Sequence, residues 1–374
     1  MNYITRKKRS TVFGVLLLLF VSFLFIGCSR QEEVVEEPTA DPGPAVVITT
    51  EPEPEPKPEP EEVIPPNQNL LTGVPDLTDE AIGKRPIAVV IGNTGPVMPQ
   101  YGIGAADIVM EFPVEGWQTR MVGLYGDYTQ VPRIVPVRSR RSYFVQFSLG
   151  FDAVFAHWGT DDSILSYLAQ LQYYDNLDGG RNPGGLFGRD QARRNAGYAV
   201  EHSSFMDGPK IPEALNSLNI RTDLREEKLG PAFSFNGLNE IVTPEGDVAT
   251  SVKIDFGATN AGFTFDPETQ KYLKDFNGRV QVDGATDEQL AFTNLLILET
   301  DVWVKDQWNR LEMTWAILHG HGYYVSDGQV IPIRWSKENE WDYIHLFDES
   351  LNPLSINRGR TYIAVNRPDR VTFE

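Results

Sequence analysis

From residue 86 onward the chain is a series of short apolar runs broken by glycine, proline, asparagine and aspartate, and the runs change texture near residue 230. PIAVVIG (86–92) is β-branched, nearly continuous and bounded by Pro86 and GNTGP, which predicts a buried strand. DIVMEF (107–112) and TRMVGLYGD (119–127) predict two more, the second less regular because Met121 and Leu124 do not share one face. RIVPV (133–137) contains Pro136 and predicts an edge or a strand end. Residues 139–151 place Tyr143, Phe144, Phe147 and Phe151 at helical spacing, with Ser139 as the expected N-cap. DAVFAHW (152–158) returns to strand, and 160–171 predicts a helix capped by Thr160 or Asp161. The next forty residues read as loop, with five glycines between 179 and 188, and 211–218 reads as a short helix. Beyond 230 the runs VKIDF, GFTF, NLLILET, LEMTWAIL, GYYVS, VIPIRW, YIHLF and TYIAV are strand-like, with hairpin dipeptides at Asn277-Gly278 and Asp327-Gly328. The pattern therefore predicts an α/β (α+β) domain with a mixed sheet over 67–229, followed by a β-rich domain over 230–374.

The first 66 residues have a different character. RKKRS precedes an apolar stretch that ends at Cys28, the single cysteine, and residues 1–28 read as an export signal. FIGC resembles a lipobox, with Phe25 where leucine is usual, so Cys28 is the expected lipidation site, carrying palmitate. The other reading is an uncleaved N-terminal anchor. Both place the body on the extracytoplasmic face of the cell membrane. Residues 29–66 form an acidic Pro/Glu linker; within it, 31–66 hold eleven acids and one lysine. Proline and like-charge repulsion favour an extended spacer, on the order of 100 Å at full reach. With Cys28 used as the anchor no disulfide is available, and the 308 residues after the linker are long enough to build their own cores without one.

That body carries 41 acids and 27 bases, which argues against nucleic acid as a partner. Against this background, residues 120–194 contain nine arginines and no lysine. A guanidinium is a permanently charged planar fork suited to carboxylate or phosphate. Arg138, Arg140 and Arg141 fall at a strand-to-helix junction, where a helix start would add N–H groups and a favourable dipole, and DGGRNPGGLFGRD (178–190) would add further backbone N–H groups. The competing reading is a set of internal ion pairs. The candidate ligand-binding residues are Arg120, Arg138, Arg141, Arg189, Asp190 and His202. His157 ends a predicted strand just before Asp161, and the two form a candidate base and orienter; a buried hydrogen-bonding histidine is the alternative. Neither a cysteine nucleophile nor a Gly-X-Ser-X-Gly elbow is present. His319 and His321 would share a strand face but lack accompanying ligands, so neither metal nor cofactor is expected. Trp303, Trp308, Trp315, Trp335 and Trp341 lie in the β-rich half and are either core or a sugar-stacking surface.

LLTGVP, RPIAVVIGN, MPQYGIGAADIVMEFPVEGWQTR, PVRSRRSYF and FDAVFAHWG, then FGRDQARR, EHSS, DEQLAFTNLLIL, DGQVIPIRWSK and NRGRTYIAV, resemble in order the blocks of the YerB-like lipoprotein family, over nearly all of 70–366. The resemblance implies a two-domain, surface-anchored bacterial lipoprotein without an assigned activity. The sequence departs from the family where WGTDD follows His157 and where EHSS surrounds His202. Three functions fit the residues: binding an anionic cell-wall component, hydrolysis or transfer on such a ligand with His157 as base, or scaffolding another envelope protein.

Overall fold

The computed structural model describes residues 63–161, 164–313 and 318–374. Cys28, the export signal and nearly all of the linker lie outside the described residues, as does Trp315. The first half contains β1 Ile87–Asn93, β2 Ile108–Pro113, β3 Thr119–Tyr125, β4 Arg133–Ile134, α1 Ser142–Leu149, β5 Val154–His157, α2 Leu165–Gln170, β6 Asn176–Asp178, β7 Phe187–Arg189, α3 Gln191–Asn195, β8 Ser204–Asp207 and α4 Ile211–Ser217. The second half contains β9 Ser234–Phe235, β10 Asp247–Val248, β11 Ser251–Asp255, β12 Asn260–Asp266, β13 Lys271–Phe276, β14 Arg279–Val280, β15 Ala291–Phe292 and β16 Asn294–Glu299. It continues with β17 Val302–Val304, β18 Leu311–Met313, β19 Leu318–Ser326, β20 Gln329–Lys337, β21 His345–Phe347, β22 Ser355–Ile356, β23 Thr361–Asn366 and β24 Val371–Phe373.

The two halves share a mixed sheet in the order β10-β20-β19-β16-β23-β2-β3-β1-β5-β6, with β21 beside β20. Strand β23, near the end of the chain, runs parallel to both β2 and β16 and joins the α/β half to the β-rich half. A second sheet, β14-β13-β12-β11-β24 with β15 on β13, packs against one face of the first. Alternation along β1 shows how both faces are filled. Ile87, Val89 and Ile91 join the cluster containing Phe263 and Phe292 of the second sheet, while Ala88 and Val90 join the cluster containing Phe144 and Phe147 of α1. Burial on both faces explains the nearly unbroken apolar run at 86–92. Helix α1 is buried at every position, so its aromatic residues pack on all sides.

Several local expectations need correction. Helix α1 starts at Ser142 with Arg141 at the N-cap, not at Ser139. Residues 138–140 are instead held in extended pairing, Arg138 N donating to Val90 O and Arg140 N to Gly159 O. Helix α2 has Ile164 at its N-cap instead of Thr160 or Asp161. The stretch read as loop contains β6, β7, α3 and β8, and β7 and β8 join β4 in a three-stranded sheet. The dipeptides at 277–278 and 327–328 are two-residue turns with positive φ at all four residues, as expected.

A polar network lies buried between the two sheets. Glu111 Oε1 accepts from Asn93 Nδ2 at 2.9 Å and Thr119 Oγ1 at 2.7 Å, and Oε2 accepts from the Tyr362 hydroxyl at 2.8 Å. Lys274 Nζ lies 3.5 Å from Glu111 Oε2, and neither side chain has any solvent exposure. Burial pulls the Lys274 ammonium below its usual range, and the Glu111 carboxylate opposes that shift.

Candidate functional site

Strands β1, β5 and β6 run parallel, so the loops leaving them gather at one sheet edge, the usual position for a ligand site in open α/β sheets. Arg120 on β3 lies opposite Gly92 of β1 in the antiparallel register. The stem of Arg138 crosses Gly92 so closely that a Cβ there would come within 3.1 Å of Arg138 Cγ. Glycine at 92 thus leaves room for Arg138 at the end of β1. Arg189 on β7 packs over Trp158, its guanidinium carbon 4.0 Å from the ring centroid. A Cβ at Gly179 would sit 2.6 Å from atoms of the same ring.

Arg138 Nη1 donates to Glu201 O and Arg189 Nη1 to Val200 O, both at 2.8 Å, so the two side chains grip consecutive carbonyls of one turn. Their Nε and Nη2 groups make no hydrogen bond to any other described residue. Arg120 Nη1 donates to Ser139 O at 2.8 Å, while its Nη2 is 3.8 Å from Glu115 Oε2. Burial lowers the pKa of both Arg120 and Arg138, and the nearby Arg141 lowers each further. Four guanidinium groups (Arg120, Arg138, Arg141, Arg189) face the carboxylates of Glu115 and Glu201, and the face is left net positive in an acidic body.

The other residues singled out in the sequence have different roles. Arg141 is engaged within the protein: Nε and Nη2 reach Glu115 Oε1 at 2.8 and 2.5 Å, and Nη1 donates to Arg140 O. The start of α1 is faced by the protein's own carboxylates, because Ser142 Oγ donates to Glu312 Oε1 at 2.8 Å beside the Arg141–Glu115 pair. It is therefore not a free anion-binding terminus. The glycine loop also differs from expectation, since Gly179 N donates to His157 O and Gly180 N to Asp178 Oδ1. Asp190 caps α3 by accepting from Arg193 N at 2.9 Å and lies 3.5 Å from Arg133, so it acts as scaffold. His202 lies beside Arg138; burial and that cation lower its pKa, and its Nδ1 is buried without a hydrogen-bond partner among the described residues.

His157 and Asp161 do not form a base and orienter. His157 is 1% exposed, with Nδ1 2.9 Å from Gly159 O and Nε2 3.4 Å from Asn176 Oδ1. Burial, reinforced by Arg140, holds its pKa down to about 4, and the carboxylate nearest it is Asp178, 3.9 Å away. Asp161 is paired with Lys305 at 3.2 Å and with Arg310. The enclosed imidazole, held between Gly159 O and Asn176 Oδ1, braces the loop after β5. The sequence reading missed Glu115, Trp158 and the Val200–Glu201 carbonyls. The bulky Trp158 next to His157 and the opposing Gly179 were the available signals. In the β-rich half, Trp335 is core, His321 Nε2 meets Arg334 Nη1 at 2.7 Å, and Trp303 and Trp308 are exposed.

Comparison with known proteins places the chain in a family. Models described as the N-terminal and C-terminal domains of a protein of unknown function (DUF3048) match residues 71–221 and 252–363. A relative from Bacillus subtilis (strain 168), named "Putative lipoprotein YerB", is 26% identical over 340 residues, spanning 89% of this chain and 88% of its own. The crystal structure of the YerB protein from Bacillus subtilis superposes with a TM-score of 0.68 at 24% identity, covering 84% of this chain and 100% of that one, a likeness of fold.

Proposed function

The chain belongs to the DUF3048 family of YerB-like lipoproteins, and from that premise we propose that its body binds an anionic cell-wall component through Arg120, Arg138 and Arg189. The observation that carries this reading is the face itself. Arg138 and Arg189 are anchored by one N–H each, the remaining donors of their forks make no hydrogen bond among the described residues, and the local charge is positive within a strongly acidic body. Anchored forks lose little rotamer freedom on binding a carboxylate or phosphate, and charge-assisted hydrogen bonds are the strong ones. Lipidation at Cys28 would hold this face outside the cytoplasmic membrane, with the acidic linker as spacer. His157, 1% exposed, takes no part in this contact.

The test is sedimentation with purified cell-wall sacculi, using the chain from Val63, which retains the residues of both hydrophobic clusters. Arg138→Gln/Arg189→Gln is expected to weaken retention about tenfold, the loss of roughly 1.4 kcal/mol of ion-pair binding. Arg133→Gln removes one charge from a guanidinium stacked on Phe205 and paired with Asp190, and is expected to leave retention unchanged. Equal retention of the double variant and the wild type would refute the assignment.

A further inference from the structure

The β17–β18 hairpin displays its tryptophans beside the arginine face. Trp303 is 43% exposed and Trp308 64% exposed, with Val304 exposed between them. Trp303 lies opposite Glu312 in the antiparallel register and so shares its face of the ribbon. Glu312 is buried, accepting from Ser142 Oγ next to Arg141 and from Lys305 Nζ at 3.2 Å. The hairpin is therefore docked on the start of α1, next to the Arg141–Glu115 pair. Its tip is also fixed. Asp306 Oδ1 accepts from Trp308 N at 3.0 Å and Arg310 N at 3.2 Å, and Arg310 lies 5.0 Å from the Trp308 ring while pairing with Asp161. Arg310 is close enough to Glu115 to be stabilised by it, and Glu115 also faces Arg120 and Arg141. Arg310 at the Trp308 ring and Arg120 and Arg141 of the arginine face are thus linked through the one carboxylate of Glu115.

We infer that Trp303 and Trp308 form a saccharide-stacking subsite beside the arginine face, so that the ligand is a glycan bearing anionic groups. The inference rests on the anion-binding reading above and adds the ligand's class to it. The C–H face of a pyranose is apolar and packs on an indole face, while its hydroxyls remain in water. Rigid rings on a docked hairpin lose little entropy on binding, unlike flexible side chains. Spanning both regions requires several linked units, which favours a strand over a single sugar.

The test uses the full-length protein and two carboxylate probes: soluble uncross-linked peptidoglycan, whose stem peptides bear carboxylates, and polyglutamate, which has no sugar. Trp303→Ala/Trp308→Ala is expected to weaken peptidoglycan binding about tenfold and leave polyglutamate binding unchanged, the size of one aromatic stack. Arg138→Gln/Arg189→Gln is expected to weaken both. If the tryptophan variant binds peptidoglycan like wild type while the arginine variant does not, the stacking subsite is wrong and the anion site stands. Equal loss of both probes in the tryptophan variant also overturns the subsite. If the arginine variant binds both probes like wild type, the anion reading fails and this inference fails with it.

Discussion

Replacing Lys274 with methionine is expected to lower the stability of the folded body by about 3–5 kcal/mol, the cost of leaving a buried carboxylate without its cation. The methionine stem fits the apolar walls formed by Phe263 and Tyr362, whose rings lie 5.3 and 5.5 Å from Nζ, so the loss reports on charge more than on volume. Asn93, Thr119 and Tyr362 would still donate to Glu111. They soften the loss without neutralising the charge. Adding Glu111→Gln to Lys274→Met removes both charges and is expected to recover most of the stability. Denaturant midpoints of the two single variants and the double variant give the coupling directly. Additive losses would show that the pair does not interact. The consequence reaches the whole fold, because Glu111 belongs to the α/β half and Lys274 to the β-rich half.

The second large effect is a pH dependence carried by His157. The pKa of this residue is about 4 in the folded protein against 6.5 for the ordinary side chain, so the unfolded chain binds a proton between those values while the folded one does not. Stability from this group is fully present above pH 6.5 and is lost on acidification toward 4, amounting to about 3 kcal/mol. Asp107 works in the opposite sense: burial raises its pKa to about 6, so its contribution favours the folded state as pH falls through that value. The expected result is therefore a difference. Unfolding free energies of wild type and His157→Asn, measured between pH 7 and 4, should converge as the pH falls. Parallel curves would show that the imidazole is not held neutral. Asp178 and Arg140 both face the ring, and an Arg140→Gln change should weaken the effect by removing the cation that helps hold the pKa down.

The sequence showed the strands of the central sheet most clearly where both faces are buried. Strand β1 and strands β16 and β23 appear as dense β-branched or aliphatic runs because each packs on both sides. The joining of the halves was hidden. β23 lies beside β2 although some 250 residues separate them, and no local pattern encodes that pairing. The three-stranded sheet β4-β8-β7 escaped because its strands have two to four residues, too few to establish a period. The start of α1 was misplaced for a tertiary reason, the extended pairing of Arg138 and Arg140 with β1 and with the loop after β5. At the site, the density of arginine was plain, but the role of each residue was not. Arg141 and Arg193 become structural only because Glu115 and the carbonyls of Val97 and Pro99 come near them in three dimensions. Asp161 neighbours His157 in sequence, yet the β17–β18 hairpin supplies its partner Arg310 from 149 residues away, and Lys305 beside it.

The proposed contact of Arg138 and Arg189 with an anion on the cell wall is tested most directly by the salt dependence of sacculus binding. Affinity of the chain from Val63 would be measured over a potassium chloride series for wild type and Arg138→Gln/Arg189→Gln. The logarithm of affinity is expected to fall linearly with the logarithm of salt. The slope should be about 1–2 shallower in the variant, because each missing guanidinium removes one ion pair and the counterion release that goes with it. Binding indifferent to salt, or identical slopes for the two proteins, would contradict it.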